Sequence, residues 1–236
     1  MNAQKTALIV GADGFVGRFC LRYLCTEKAY TKVHALVRRP LGERHAKLVE
    51  HVIDFDALEK LRPFPAVTDV YCCLGTALSR LYDHRQLDLV DHHYPLAVAR
   101  LALAVGARQF ALVTSSGIGP RSPIYYCRVK SRAERDITAL GFANVVIFRP
   151  SLLLGKRPQF RPFQEALSFV LKPLAWVFAG PLGRFRPVHG AAVGYAMVAM
   201  LQRKESGRHW VNSQQIDCLY REGVGRKRRE RVPVKP

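Results

Sequence analysis

The chain opens with a short apolar run that ends in regularly spaced glycines. Residues 6–10 read Thr-Ala-Leu-Ile-Val, Gly11, Gly14 and Gly17 follow, and apolar residues then recur at helical spacing. This order predicts a buried strand, a tight glycine turn and a helix whose amides and positive dipole end favour bound phosphate. The segment therefore predicts a dinucleotide-binding turn. An ordinary strand-to-helix turn is the alternative, and the second strand that follows at the expected distance argues against it.

The residues after the second predicted strand indicate which dinucleotide binds. Residues 32–37 form this strand, which ends in Arg38, Arg39 and Pro40. In dinucleotide-binding folds an acid at this place, about twenty residues beyond the glycines, binds the ribose of NAD, whereas an arginine accommodates the 2′-phosphate of NADP. The pattern favours NADP(H), with a solvated charged loop as the alternative.

Strand and helix patterns alternate as far as residue 150. Such alternation predicts the α/β class, a doubly wound parallel sheet of the Rossmann type with helices on both faces. The predicted strands span residues 6–10, 32–37, 47–53, 67–74, 110–113 and 145–148, and the predicted helices after the first one span residues 56–61, 83–106 and 124–140.

The rest of the chain loses this alternation. We expect a single domain at residues 1–222, with a small C-terminal substrate lobe mainly at residues 155–220 and a disordered basic tail at residues 223–236. Within the lobe, residues 190–202 and 213–220 are predicted helices. Its aromatic residues favour an apolar ligand, with an ordinary core as the alternative; they are Phe160, Phe163, Phe169, Trp176 and Phe178.

Tyr126 and Lys130 share one face of the predicted helix at residues 124–140. A lysine one turn away can lower the pKa of a tyrosine, and that tyrosine can exchange a proton with a substrate oxygen during hydride transfer. Ser115 and Ser116, at the end of the fifth strand, are both candidates to hold the same oxygen. An exposed helix face is the alternative, but the position of the pair after the serines favours a catalytic site.

Composition limits the classes of partner. The net charge is +19, which favours anionic partners, but no nucleic-acid-binding motif accompanies it, so nucleic acid is not expected. The six cysteines and eight histidines show no metal-ligand spacing, so we expect reduced thiols and no metal site. We see no signal peptide, and the longest apolar stretch, residues 166–182, is interrupted by Lys, Pro and Gly. We therefore expect no transmembrane segment and a cytoplasmic protein.

Several short motifs together resemble a known superfamily, the short-chain dehydrogenases/reductases, and within it an atypical group close to the Tat-interacting-protein-like oxidoreductases and their bacterial relatives. The resemblance covers roughly residues 5 to 205. The motifs that carry it are residues 11–17, 72–76, 90–91 with 95–97, 106–108, 126–130 with Glu134, 149–155 and, more loosely, 186–189.

The resemblance implies an epimerase-like Rossmann fold with bound NADP(H). It places Tyr126, Lys130 and Ser115 in the catalytic positions, and Leu74 and Gly75 beside the nicotinamide. The residues that it implies as cofactor contacts are Gly11, Asp13, Gly14, Phe15, Val16, Gly17, Arg38, Arg39, Asp54, Phe55, Leu74, Gly75, Thr76, Lys130 and Pro150.

These observations predict an NADP(H)-dependent oxidoreductase that acts on a small carbonyl or alcohol substrate. The alternative is a non-catalytic NADPH-binding regulatory or interaction protein, which the resemblance also allows. The sequence indicates neither the substrate nor the oligomeric state.

Overall fold

The computed structural model describes residues 4–61, 63–76, 82–155, 186–203 and 205–230. Its centre is a seven-stranded parallel sheet formed by β1 (Lys5–Val10), β2 (Tyr30–Val37), β3 (Leu48–Val52), β4 (Asp69–Cys72), β5 (Gln109–Val113), β6 (Asn144–Arg149) and β9 (Gly207–Asn212). Two further short strands, β7 (Leu153–Leu154) and β8 (Val188–His189), form a separate parallel ribbon. The strand order β3-β2-β1-β4-β5-β6-β9 confirms the predicted doubly wound Rossmann fold.

Helices cover both faces of the sheet. They are α1 (Gly17–Thr26), a 3₁₀ turn (Phe55–Lys60), α2 (His84–Asp88), a π-helical turn (Leu89–His93), α3 (Tyr94–Ala104), α4 (Tyr125–Thr138), α5 (Gly190–Leu201) and α6 (Ser213–Glu230). One apolar core lies between the sheet and α1, α5 and α6. The second lies between the other face and the 3₁₀ turn, α3 and α4. Burial on both faces explains why the inner strands are almost wholly apolar.

The order of the strands reverses between β1 and β4, which pair with each other. From β1 the chain continues outward to β2 and β3, and from β4 it continues in the opposite direction to β5 and β6. In open parallel sheets the loops diverge at such a point and leave a crevice at the carboxyl ends of the strands. The topology therefore predicts where a ligand can enter.

Three elements differ from the sequence-based expectation. The single helix predicted at residues 83–106 is divided into α2 and α3 by the π-helical turn, and Pro95 lies in the first turn of α3, where a missing amide costs little. The sequence missed β9, an edge strand whose mixed polar residues show no clear alternation. The expected disordered tail is also wrong for residues 223–230, because α6 continues to Glu230.

Some expectations concern residues outside the described ranges. These include the five aromatic residues between positions 156 and 185, and residues 231–236 of the tail. Among the helices that are described, none is long and apolar enough to cross a bilayer. Within the same ranges, no three His, Cys, Asp or Glu side chains are grouped so that they could hold a metal ion.

Candidate functional site

A cavity of about 440 Å³ lies at the carboxyl ends of β1, β2, β4 and β5, where the strand order reverses. Most of the residues predicted to bind a cofactor, and two of the three predicted catalytic residues, line it. The lining residues are Gly11, Asp13, Gly14, Phe15, Val16, Leu36, Val37, Arg38, Arg39, Phe55, Cys73, Leu74, Gly75, Thr76, Val90, Tyr94, Val113, Thr114, Tyr126, Lys130 and Leu153.

The glycine turn forms one wall of this cavity, and the backbone is packed too tightly there for side chains. Gly11 has a φ of +74°, and a Cβ on it would lie 2.7 Å from the carbonyl carbon of Cys73. A Cβ on Gly17 would lie 1.9 Å from the carbonyl oxygen of Gly11. Because glycine has no Cβ, α1 can begin directly against the turn. No side chain of the described residues caps the start of α1 at Val16. The turn and helix start thus form a cradle suited to a phosphate group.

Phe15 connects the glycine turn to the C-terminal part of the chain. Its ring lies so close to Gly155 and Gly190 that a Cβ on either glycine would come within 3.0 Å of it, at 2.9 and 2.7 Å. The Arg18 guanidinium lies over the same ring, 5.2 Å from its centroid. Phe15 therefore anchors the turn beside the β7–β8 ribbon.

The opposite end of the cavity combines cations with an aromatic pair. Arg38 and Arg39 are exposed at the end of β2 and line the cavity, as a group that reads a 2′-phosphate must. The rings of Phe55 and Tyr94 lie 5.5 Å apart. Tyr94 donates to Asp56, and burial together with this acceptor raises the pKa of Tyr94 to about 12. This end offers an apolar surface for an adenine and a positive rim for a phosphate.

Asp54, also predicted near the adenine, does not line the cavity. Its Oδ1 accepts from the amide of Asp56 at 3.0 Å and caps the 3₁₀ turn. Asp54 therefore stabilises the turn that carries Phe55.

Tyr126 and Lys130 lie together on α4, as their spacing predicts. The Lys130 Nζ is 5.9 Å from the centroid of the Tyr126 ring, and both side chains line the cavity. Ser115 lies close enough to Tyr126 to influence its pKa, and its hydroxyl donates to the carbonyl of Ser116 at 3.2 Å, whereas the amide of Ser116 donates to the carbonyl of Pro150 at 2.9 Å. Of the two candidate serines, Ser115 is thus the one beside the tyrosine. Pro150, whose carbonyl accepts from Ser116, lies outside the cavity lining.

The ionisation of Tyr126 differs from the expectation. Burial raises the pKa of Tyr126 above its usual value, and the nearby Lys130 charge only partly opposes this effect. The sequence predicted the lysine but could not show how far the tyrosine is buried.

Asp91 is the residue of this site that the sequence did not assign to it. It lies in the π-helical turn, and its Oδ1 is 2.7 Å from the Nζ of Lys130. Its Oδ2 accepts from the amide of Thr76 at 2.9 Å. Burial disfavours the Lys130 charge, but Asp91 and Tyr126 outweigh it and raise the pKa of Lys130. The signal in the sequence was an acid within a helix whose other buried residues, except His92, are apolar.

A network around the buried Glu134 supports the side of the cavity that Tyr126 lines. Glu134, one turn beyond Lys130 on α4, accepts from the Thr114 hydroxyl at 2.6 Å and from the Arg149 Nε at 3.0 Å. The Trp210 Nε1 donates to the same carboxylate at 3.3 Å. These bonds tie α4 to the ends of β5, β6 and β9 and so fix the helix that carries Tyr126.

Comparisons with known proteins agree with this architecture. No protein-family model matches the chain. The mitochondrial protein FMP52 of Eremothecium gossypii is 32% identical over 224 residues, covering 92% of this chain and 97% of that protein. Protein HTATIP2 of Rattus norvegicus is 33% identical over 163 residues, which is 67% of either chain.

Solved structures share the fold at low sequence identity. MoeE5 in complex with UDP-glucose and NAD has a TM-score of 0.64 at 18% identity, covering 93% of this chain and 82% of that one. WbmG of Bordetella bronchiseptica in complex with NAD has a TM-score of 0.63 at 15% identity, covering 99% and 82%. Both are NAD complexes of the same Rossmann architecture.

The relatives also correct one expectation. Several of them, including that of Eremothecium gossypii, are named as mitochondrial proteins, which contradicts the cytoplasmic location expected from the sequence. Identity over most of the chain, together with the NAD(P)-type fold and the glycine turn, settles the relationship. The chain belongs to the family of FMP52 and HTATIP2.

Proposed function

We propose that the protein is an NADP(H)-dependent oxidoreductase that reduces a small carbonyl compound or oxidises the corresponding alcohol. The observation that carries this proposal is that a single cavity contains the glycine turn, Arg38 and the Tyr126–Lys130 pair. A cofactor site and an acid–base pair are the two parts that such a reaction needs.

The residues present fit the cofactor. The turn that includes Gly11, Asp13, Gly14, Val16 and Gly17 would hold the pyrophosphate, since side chains there would fill the cradle. The cations at Arg38 and Arg39 and the ring of Phe55 would hold the adenosine end. Leu74, Gly75 and Thr76, with Lys130, would line the nicotinamide end, where the bound cofactor supplies or accepts a hydride.

The chemistry proposed for the chain's own residues is proton transfer. Tyr126 would give its hydroxyl proton to the carbonyl oxygen during reduction and take it back during oxidation. Ser115 would hydrogen-bond the same oxygen, because it already lies beside the tyrosine hydroxyl. Lys130 would stabilise the phenolate that remains.

We also propose that residues 155–220 shape the substrate side of the cavity within a single domain. Leu153 of the β7–β8 ribbon lines the cavity, and this ribbon joins the two ends of residues 155–187.

The test is turnover on a panel of aldehydes, ketones and their alcohols, with NADPH and NADH compared. Tyr126→Phe keeps the ring and removes the hydroxyl, so NADPH affinity should change little while turnover falls roughly 10²–10⁴-fold, the usual contribution of general acid catalysis. A Tyr126→Phe variant with full activity would contradict the role of Tyr126.

A second candidate function is a non-catalytic NADPH-binding regulator. The raised pKa of Tyr126, which burial causes, favours it because the hydroxyl stays protonated near neutral pH and is then not available as a base for alcohol oxidation. Tight NADPH binding without turnover on the whole panel would support this second function over the first.

A further inference from the structure

Asp91 and Lys130 form a buried ion pair beside the cavity, which Lys130 lines. Their relative exposures are 1% and 4%, and their charged atoms lie 2.7 Å apart. The second Asp91 oxygen accepts from the Thr76 amide, so the carboxylate is held from two directions. Removing either charge would leave the other buried without its partner, which proteins tolerate poorly.

Charges of both signs act on Tyr126. Tyr126 is influenced by Lys130 and Asp91, by the Ser115 hydroxyl and by the Cys127 thiol on its own helix. Lys130 in turn faces Asp91, Tyr126 and the Cys72 thiol of β4. Since one positive and one negative charge lie together, burial dominates and the pKa of Tyr126 is raised.

We infer that Asp91 is a positioning residue that fixes the Lys130 ammonium beside Tyr126 and balances its charge, so that Tyr126 enters the reaction as a proton donor. This inference rests on the proposed oxidoreductase function and identifies carbonyl reduction as the reaction for which the site is prepared. In reduction, bound NADPH would supply the hydride for the new C–H bond at the carbonyl carbon and would be oxidised to NADP+. The Tyr126 O–H bond breaks as its proton passes to the carbonyl oxygen, and solvent reprotonates the phenolate. The site therefore favours the protonation state that carbonyl reduction requires.

A cycle of four proteins tests the charge balance without any need for turnover. They are the parent, Asp91→Asn, Lys130→Met and the double variant, each labelled with ¹³Cζ-tyrosine and ¹³Cε-lysine and titrated by NMR. Tyr126→Phe identifies the Tyr126 signal, and Lys130→Met identifies that of Lys130. Because neighbouring sites titrate as a pair, both signals are followed together.

The expected shifts have opposite signs. In Asp91→Asn the first proton of the Tyr126–Lys130 pair leaves at lower pH than in the parent, because a stabilising negative charge is gone. In Lys130→Met, Tyr126 titrates at higher pH, because Asp91 is left unbalanced beside it. In the double variant, Tyr126 titrates at a pH between those of the two single variants. It buries no unpaired charge, so its comparison with Lys130→Met still decides the matter if Asp91→Asn does not fold.

Asp88→Asn is the matched control. Asp88 lies three residues before Asp91, at the end of α2, but pairs with Arg132 and Tyr125 rather than with Lys130. The Tyr126 titration should be unchanged in this variant.

The inference would be overturned if Tyr126 titrated at the same pH with and without Asp91. The comparison is between the parent and Asp91→Asn, or between Lys130→Met and the double variant. Absence of turnover on every carbonyl compound would count against the oxidoreductase proposal, while the titration would still report on Asp91. If turnover is found, the high-pH limit of carbonyl reduction should move to lower pH in Asp91→Asn.

Discussion

The contact between the glycine turn and the end of β4 can be measured with two alanine substitutions. Gly11 and Gly42 have almost the same backbone conformation, with φ of +74° and +73°. A Cβ on Gly11 would lie 2.7 Å from the carbonyl carbon and oxygen of Cys73, whereas a Cβ on Gly42 would have no atom within 4 Å among the described residues. Gly42→Ala is therefore a control that changes the backbone strain and nothing else.

The expected magnitudes follow from this geometry. A non-glycine residue in the left-handed region costs about 1–2 kcal/mol, and both variants bear that cost. Forcing a methyl group into a packed site costs a further ~1–3 kcal/mol, and only Gly11→Ala bears it. The gain from a stiffer unfolded chain is common to both and cancels in the comparison. Gly11→Ala should thus be less stable than Gly42→Ala by about 1–3 kcal/mol.

Urea unfolding of the cofactor-free proteins, followed by circular dichroism, provides the measurement, because a bound cofactor would add its own stabilisation. NADPH titration should in addition show weaker binding for Gly11→Ala alone, since the displaced backbone of Cys73 lines the cavity. Equal losses of unfolding free energy in the two variants would refute the idea that the Cys73 backbone restricts position 11.

Two further outcomes follow from charged and titrating groups. A charge-assisted contact is worth ~1.5–3 kcal/mol, so the parent should bind NADPH roughly ten- to a hundredfold more tightly than NADH, and Arg38→Asp should remove this preference. Titration calorimetry with both cofactors measures the affinities, with Arg39→Asp tested in parallel. Equal affinities for the two cofactors in the parent would contradict the role of Arg38. Burial, together with Tyr220 and Tyr195, raises the pKa of Tyr23 to about 12 from 10.0. Its contribution to stability is therefore present below pH 10 and lost as the pH rises to about 12. Tyr23→Phe should weaken that alkaline loss in urea unfolding, and an unchanged pH dependence would argue against it.

Much of the fold could be predicted from local patterns, because buried parallel strands are apolar over their whole length. The runs that contain Ile9, Val70 and Val146 are of this kind, and all three side chains are fully buried. The β9 strand could not be found in this way. It lies at the edge of the sheet, where the half-buried Arg208 and His209 and the exposed Trp210 are accommodated, and only its pairing with β6 defines it.

In the candidate site, too, local patterns could be predicted and tertiary contacts could not. Residues close together in sequence, such as the glycine turn or Tyr126 with Lys130, could be placed from spacing alone. Asp91 could not, because its contact with Lys130 depends on the packing of two helices and on the π-helical turn between α2 and α3. The direction of the Tyr126 pKa shift also depends on burial, which spacing does not report.

The short segment after β4 links the two halves of the site. Its first residue, Cys73, packs against the Gly11 turn, and its last, Thr76, donates its amide to Asp91. Leu74 and Gly75, between them, line the cavity. A displacement of this segment would therefore reach both the glycine turn and the Asp91–Lys130 pair, whereas a change at Arg38 would reach only the end of the cavity at β2. This arrangement follows from the topology, because the segment begins where the strand order reverses and the crevice opens.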